Sequence, residues 1–417
     1  MRLPLAIALA LALTSALASA AAADTASNFR SAVDQIVAQP YQPDYVPQGY
    51  DTAFGGANVL NTAAAQDYTT GSIPGSPDAP EWPAWFHQVQ FTSADGAPLL
   101  GQLATHPGSA PGVVVVHGFN THGYASVIRW AAMLYANGYN VLAADQRDFS
   151  FENDAGLGYP SWQQTFGWKE SEDVVAAGRY LAAQRGTKDI GLVGYSEGGQ
   201  NTVLALALDA GRMFKAAIQF SGPADQDTQI YSTAVPAGCA TPLCTYPVTD
   251  ALVQLVVPPY DNADVCVALQ RAGTLYGTDG FGILSHETAF HAQQKAKVPL
   301  LNVYSADDSL VPAFEAQMMA GYEVGNPLQR TLEVTRGEHA YFFDRWWQQR
   351  AILLYFKTLL PSAAGNSAVT TSATVNQTSG GLAFGEQLVQ LSATKASADA
   401  RLAPYVCDTS RGKPGAS

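Results

Sequence analysis

The chain has 417 residues, with 35 Asp and Glu against 22 Lys and Arg and a formal net charge of −13. Such an acidic balance argues against electrostatic attachment to nucleic acid or anionic lipid. With 47% hydrophobic and only 14% charged residues, the chain can bury a large core, as one α/β domain with insertions or as two domains.

Met1-Arg2, an apolar run from Leu3 to Leu17 and the small residues Ala18-Ser19-Ala20 form the pattern of a cleavable secretory signal. The run is shorter than the roughly 20 apolar residues of a membrane span, so no stable membrane anchor is expected and the chain is placed in the periplasm or outside the cell. Four cysteines, Cys239, Cys244, Cys266 and Cys407, suit two disulfides in that oxidising compartment. Three pairings are possible, and the expected one joins Cys239 to Cys244 and Cys266 to Cys407.

After the signal, residues 21–84 predict a largely irregular arm with helical periodicity only from Phe29 to Val37. Two alternating runs, Phe86 to Thr92 and Leu99 to Thr105, flank Asp95-Gly96 and predict an antiparallel hairpin. His87 and His106 lie on it as ordinary surface or edge residues. Beyond Pro111, short apolar runs alternate with helical patterns. Strands are expected at 113–116, 139–144, 190–193, 216–220, 298–304 and 332–335, and helices at 127–136, 174–181, 200–208 and 346–359. This pattern describes a mostly parallel sheet covered by helices on both faces. About 224–297 interrupt it as an inserted cap holding three of the four cysteines. Residues 362–381 predict a flexible linker, and Leu388 to Ala403 a final helix held by Cys407. Asn376-Gln377-Thr378 has the glycosylation pattern.

The strongest chemical signal is Gly194-Tyr195-Ser196-Glu197-Gly198, between a predicted strand and a predicted helix. A turn that sharp strains its apex residue and leaves no space for bulk on either side, so Ser196 projects as a nucleophile. A serine hydroxyl needs a base to take its proton, and the base needs an orienting acid. Asp308 leaves the strand ending at Tyr304, and His339 leaves the strand 332–335. Both exits lie at the carboxyl edge of the sheet, where such sites collect. The oxyanion donors are expected to be Glu197 N–H, just after the nucleophile, and Phe119 N–H, in the loop His117-Gly118-Phe119-Asn120. His117 is a loop-shaping residue in this reading, while His122 and Tyr195 are assigned to substrate binding. Asp145, Asp148, Asp307 and His286 fit no common metal spacing, so neither metal nor cofactor is expected. Tyr341-Phe342-Phe343 with Trp346-Trp347 packs the last helix rather than caging a ligand.

Together, His117-Gly118-Phe119, Gly194 to Gly199, Asp307-Asp308-Ser309-Leu310-Val311-Pro312 and Gly337-Glu338-His339 resemble the α/β-hydrolase superfamily, over about residues 86–360. Gly167-Trp168-Lys169-Glu170-Ser171-Glu172-Asp173 is similar to the Gly-x-x-Glu-x-x-Asp stretch of its dienelactone-hydrolase-like and serine-aminopeptidase-like members. The resemblance implies an α/β-hydrolase fold over 85–360 and puts the acid on Asp308 rather than Asp307. One departure is Asp145-Gln146-Arg147-Asp148-Phe149, where many members carry Asp-x-Arg-Gly. Secretion and an apolar cap favour hydrolysis of small-molecule or polymeric carboxylic esters through an acyl-enzyme. A peptidase of the same fold and a non-catalytic binding module are the alternatives. Because a base must be unprotonated to act, activity is expected to fall below neutrality.

Overall fold

The computed structural model describes residues 3–38, 85–118, 127–147, 165–209, 213–224, 275, 289–306, 308, 311, 313–323, 325–334, 339, 346–362 and 388–390. The four cysteines, the linker 363–381, Asn376, the aromatic run 341–343 and most of the cap lie outside them.

Helix α1 spans Leu3–Ala38, well beyond the short periodic stretch expected from the sequence. Only Phe29, Ala32, Val33 and Ile36 among its described side chains are buried and apolar, at the spacing of a single helix face. No described helix is long and apolar enough to cross a membrane.

The hairpin pairs β1 (His87–Thr92) with β2 (Pro98–Ala104) in antiparallel register. Then come β3 (Ala110–Val116), α2 (Ile128–Ala136), β4 (Asn140–Ala144), α3 (Trp168–Ala182), β5 (Thr187–Tyr195), α4 (Glu197–Asp209) and β6 (Phe214–Phe220). The chain continues through the short α5 (Ala289–Ala292), β7 (Leu300–Ser305), α6 (Ala313–Tyr322), β8 (Gln329–Val334), α7 (Trp346–Leu359) and β9 (Leu388–Gln390). The nine strands among the described residues form one sheet in the order β1-β2-β4-β3-β5-β6-β7-β8-β9. Its centre, from β4 across to β8, is parallel, with antiparallel pairing at both edges.

Alternation along the strands divides the core in two. Val113, Val115, Val193, Ile218 and Leu301 face α1, α2 and α7, while Val114, Val116, Leu192, Ala217 and Leu300 face α3, α4 and α6. Two elements are absent from the sequence reading, α6 and α5. Both are apolar without a clear stripe because they are buried on most sides, as Met318, Met319 and Phe290 are. The end of the predicted cap therefore belongs to the core, since α5 packs at Phe290 against Tyr322 of α6.

The helix expected over 388–403 is corrected at its start. Leu388, Val389 and Gln390 pair antiparallel with Val334, Glu333 and Leu332. An unpaired edge of β8 offers backbone donors and acceptors to any extended apolar segment, and that long-range pairing outweighs local helical periodicity.

Candidate active site

The elbow is built from close backbone approach. Ser196 takes φ +53°, a left-handed conformation that is rare for a residue with a side chain. Its N–H donates to Phe220 O at 2.8 Å, and its carbonyl accepts from Gly199 N at 2.8 Å and Gln200 N at 3.1 Å, so the strain is held from both the sheet and the helix. A side chain at Gly194 would overlap the Gly198 carbonyl, and one at Gly198 would overlap the His117 carbonyl. The two glycines thus let β5, α4 and the exit of β3 meet at one point.

Three exits from the carboxyl edge converge on Ser196. Its Oγ lies 2.9 Å from His339 Nε2, and His339 Nδ1 lies 2.9 Å from Asp308 Oδ2. With Nδ1–H donating to the carboxylate, Nε2 is left to accept the serine proton. The other Asp308 oxygen accepts Val311 N–H at 2.8 Å. His339 and Asp308 are only 6% and 9% exposed, which shields the relay from competing water. Glu197 is the first residue of α4, where backbone N–H groups point out of the helix toward negative charge.

Not every expected site residue joins this group. Phe119 and His122 lie outside the described residues. The Tyr195 ring is corrected from substrate contact to packing. It is 1% exposed and meets Trp130 edge-on, with ring centroids 5.7 Å apart, because the alternation of β5 turns it to the α2 face while the next residue swings up into the elbow.

His117 is held between the exits of β3 and β4. Its Nδ1 lies 2.8 Å from the Gly118 carbonyl, and its Nε2 3.1 Å from Gln146 N and 3.3 Å from Asp145 Oδ1. The Gly-x-x-Glu-x-x-Asp stretch acts in the same region. Glu170 accepts Thr165 N–H at 2.8 Å, Thr165 Oγ–H at 2.7 Å and Gly167 N–H at 2.8 Å, fixing the start of α3. Burial pushes its carboxyl up to about 6, against the opposing pull of Arg147. Asp173, one helical turn on, takes Arg147 Nε at 2.9 Å and Nη2 at 2.6 Å. Arg147 also reaches Asp95 at 2.7 Å and Ser93 at 3.2 Å in the hairpin turn. Burial works against its charge, but the pairs with Asp173 and Asp95 outweigh burial and hold it protonated. The departure from Asp-x-Arg-Gly therefore keeps the arginine in use. Sequence reasoning missed Gln146 and Asn201, whose contacts bridge segments 29 and 55 residues apart.

A parallel sheet in this strand order, a strained serine between β5 and α4, and an acid and a histidine at the exits of β7 and β8 define an α/β-hydrolase. Residues 99–243, about a third of the chain, match the model of the Dienelactone hydrolase family, so this stretch is similar to that family. Over 127 residues the chain is 34% identical to a thiohydrolase of Aspergillus aculeatus, covering 30% of this chain and 38% of that protein. The match thus spans well under half of the curated relative. Among solved structures, an esterase of Pyrococcus furiosus aligns with 66% of this chain and 93% of its own, at 20% identity and a TM-score of 0.46. An acylaminoacyl peptidase of Pyrococcus horikoshii aligns with 69% of this chain and 43% of its own, at 16% identity and a TM-score of 0.43.

Proposed function

We propose that the chain is a secreted serine hydrolase that cleaves carboxylic esters through an acyl-enzyme, with Ser196 as nucleophile, His339 as base and Asp308 as the orienting acid. The observation that carries this reading is the relay of two 2.9 Å contacts from Ser196 through His339 to Asp308. Ser196 Oγ attacks the acyl carbon while its proton passes to His339 Nε2. The carbonyl electron pair becomes an oxyanion, stabilised by Glu197 N–H and by a second backbone N–H, assigned to Phe119, from the loop after β3. Collapse expels the alcohol, which takes the proton from Nε2, and water then repeats the sequence to release the acid. Asp308 stays ionised and stabilises the imidazolium. The thiohydrolase relative supports acyl transfer to water as the reaction, and the signal pattern of residues 1–20 supports export.

The test is a panel of nitrophenyl esters from acetate to palmitate, acyl thioesters, and aminoacyl and peptidyl anilides, with wild type and Ser196→Ala. Turnover of the esters is expected, with roughly a 10⁴-fold or greater loss in the variant. Undiminished hydrolysis by Ser196→Ala would overturn the assignment, and cleavage of the anilides alone would replace the ester reading with a peptidase.

A further inference from the structure

Glu197 N–H heads α4, while the second donor is assigned by sequence to the residue after Gly118, the last described residue beyond β3. A hole that stabilises a tetrahedral oxyanion needs both at hydrogen-bond distance from one point, so something must fix these elements against each other. Gln146, at the exit of β4, has the required contacts. Its side-chain Nε2–H donates to the His117 carbonyl at 2.8 Å, and its backbone N–H donates to His117 Nε2 at 3.1 Å. Its Oε1 accepts from Asn201 Nδ2, on the second turn of α4. The carbonyl it holds is the one against which Gly198 packs without a side chain. Gln146, Asn201 and His117 are all fully buried or nearly so, so water does not compete for these bonds.

We propose that Gln146 is a positioning residue of the oxyanion hole. It locks the exit of β3 at His117 to the helix that carries the nucleophile and Glu197 N–H. Its amide is directional. The His117 carbonyl can only accept, so the Nε2 end must face it and the Oε1 end must face Asn201. A carboxylate of the same shape would set oxygen against oxygen. This inference rests on the serine-hydrolase reading.

The test uses Gln146→Glu, which preserves shape, Gln146→Met, which preserves volume without polarity, and Asn201→Ala, which cuts the far end of the bridge and leaves the β3 exit intact. A fluorophosphonate reads the hole without a known substrate. Ser196 Oγ displaces fluoride at phosphorus, its proton goes to His339, and the phosphonyl oxygen enters the hole. Folded variants are expected to label about 10- to 100-fold more slowly than wild type, the scale of loss for a misplaced reacting geometry. On the ester that wild type turns over fastest, kcat should fall by a similar factor with KM within about twofold, the signature of an interaction made in the transition state. In a double-mutant cycle, Gln146→Met and Asn201→Ala should be far from additive, because they cut one bridge. Wild-type labelling rates in folded variants would overturn the inference, as would a loss confined to KM. Should Gln146→Met fail to fold, Gln146→Glu and Asn201→Ala decide the question. Failure of wild type itself to label would instead sink the serine-hydrolase reading.

Discussion

At the scale of single residues, the site depends on groups whose partners are fixed by burial. Asp308→Asn is the sharpest probe of the relay. An amide keeps the shape of the carboxylate but offers His339 Nδ1 a donor as readily as an acceptor, which favours the wrong tautomer and removes the charge that stabilises the imidazolium. A loss of about 10⁴-fold in kcat is expected with the fold intact, and a loss below tenfold on any ester of the panel would show that Asp308 is not the orienting acid. Arg147 makes a different point. Its guanidinium is fully buried between Asp173 and Asp95, so Arg147→Met leaves the buried Asp173 carboxylate without its counter-ion. Breaking such a pair from one side costs about 3–5 kcal/mol, whereas replacing both partners with apolar groups is often neutral. Urea unfolding should therefore show a large loss in Arg147→Met and recovery in Arg147→Met/Asp173→Leu. A double variant no more stable than the single would assign the cost to packing instead.

At the scale of elements, the division between what the sequence disclosed and what it hid follows contact range. The strands 113–116 and 190–193 are continuous apolar runs between breakers, and the elbow is a local strand-to-helix signal, so the three candidates Ser196, Asp308 and His339, which the structure brings within hydrogen-bond reach, come from short stretches and their order, with Asp308 preferred over Asp307 by the resemblance alone. The start of α3 at Trp168 was missed because its capping comes from the Glu170 carboxylate reaching back to Gly167 and Thr165, a device that carries no apolar period. Strand β9 was misread because its partner lies more than fifty residues away in β8. Helix α1 shows the largest gap. Phe29 meets Tyr355 of α7 edge-on, with centroids 6.3 Å apart, a contact across most of the chain that no local pattern reveals. That docking makes a clear prediction. Phe29 is 1% exposed, so Phe29→Ala should cost about 3–5 kcal/mol by lost burial and the cavity left behind. Its thermal midpoint should fall by several degrees while kcat per folded molecule stays at the wild-type value, because α1 packs on the sheet face opposite α4. An unchanged midpoint would mean that α1 is not part of the stable core.

At the scale of the whole molecule, a polar seam runs across three strands of the sheet and links its stability to pH. Gln219, Asn302 and Thr331 occupy paired register positions on β6, β7 and β8. They are bonded in sequence, Gln219 Nε2 to Asn302 Oδ1 at 3.2 Å and Asn302 Nδ2 to Thr331 Oγ1 at 3.4 Å. The seam ends where Thr331 Oγ1 donates at 2.9 Å to Glu323, just past α6. Burial pushes the Glu323 carboxyl up to about 7, with the Thr331 hydroxyl and nearby Arg330 pulling the other way. The folded state therefore holds this proton more tightly than the unfolded chain. The associated stability is present in full below the unfolded value near 4.5 and is lost as pH rises through about 7. At 1.36 kcal/mol per pKa unit, the swing is about 3 kcal/mol at most. Glu323→Gln retains an acceptor for Thr331 and abolishes the ionisation. The variant should gain little at pH 4 and be more stable than wild type by up to that amount at pH 8.5, in urea unfolding at both pH values. Parallel stability profiles for the two proteins would show that Glu323 does not titrate with folding and that the seam is held by its neutral hydrogen bonds alone.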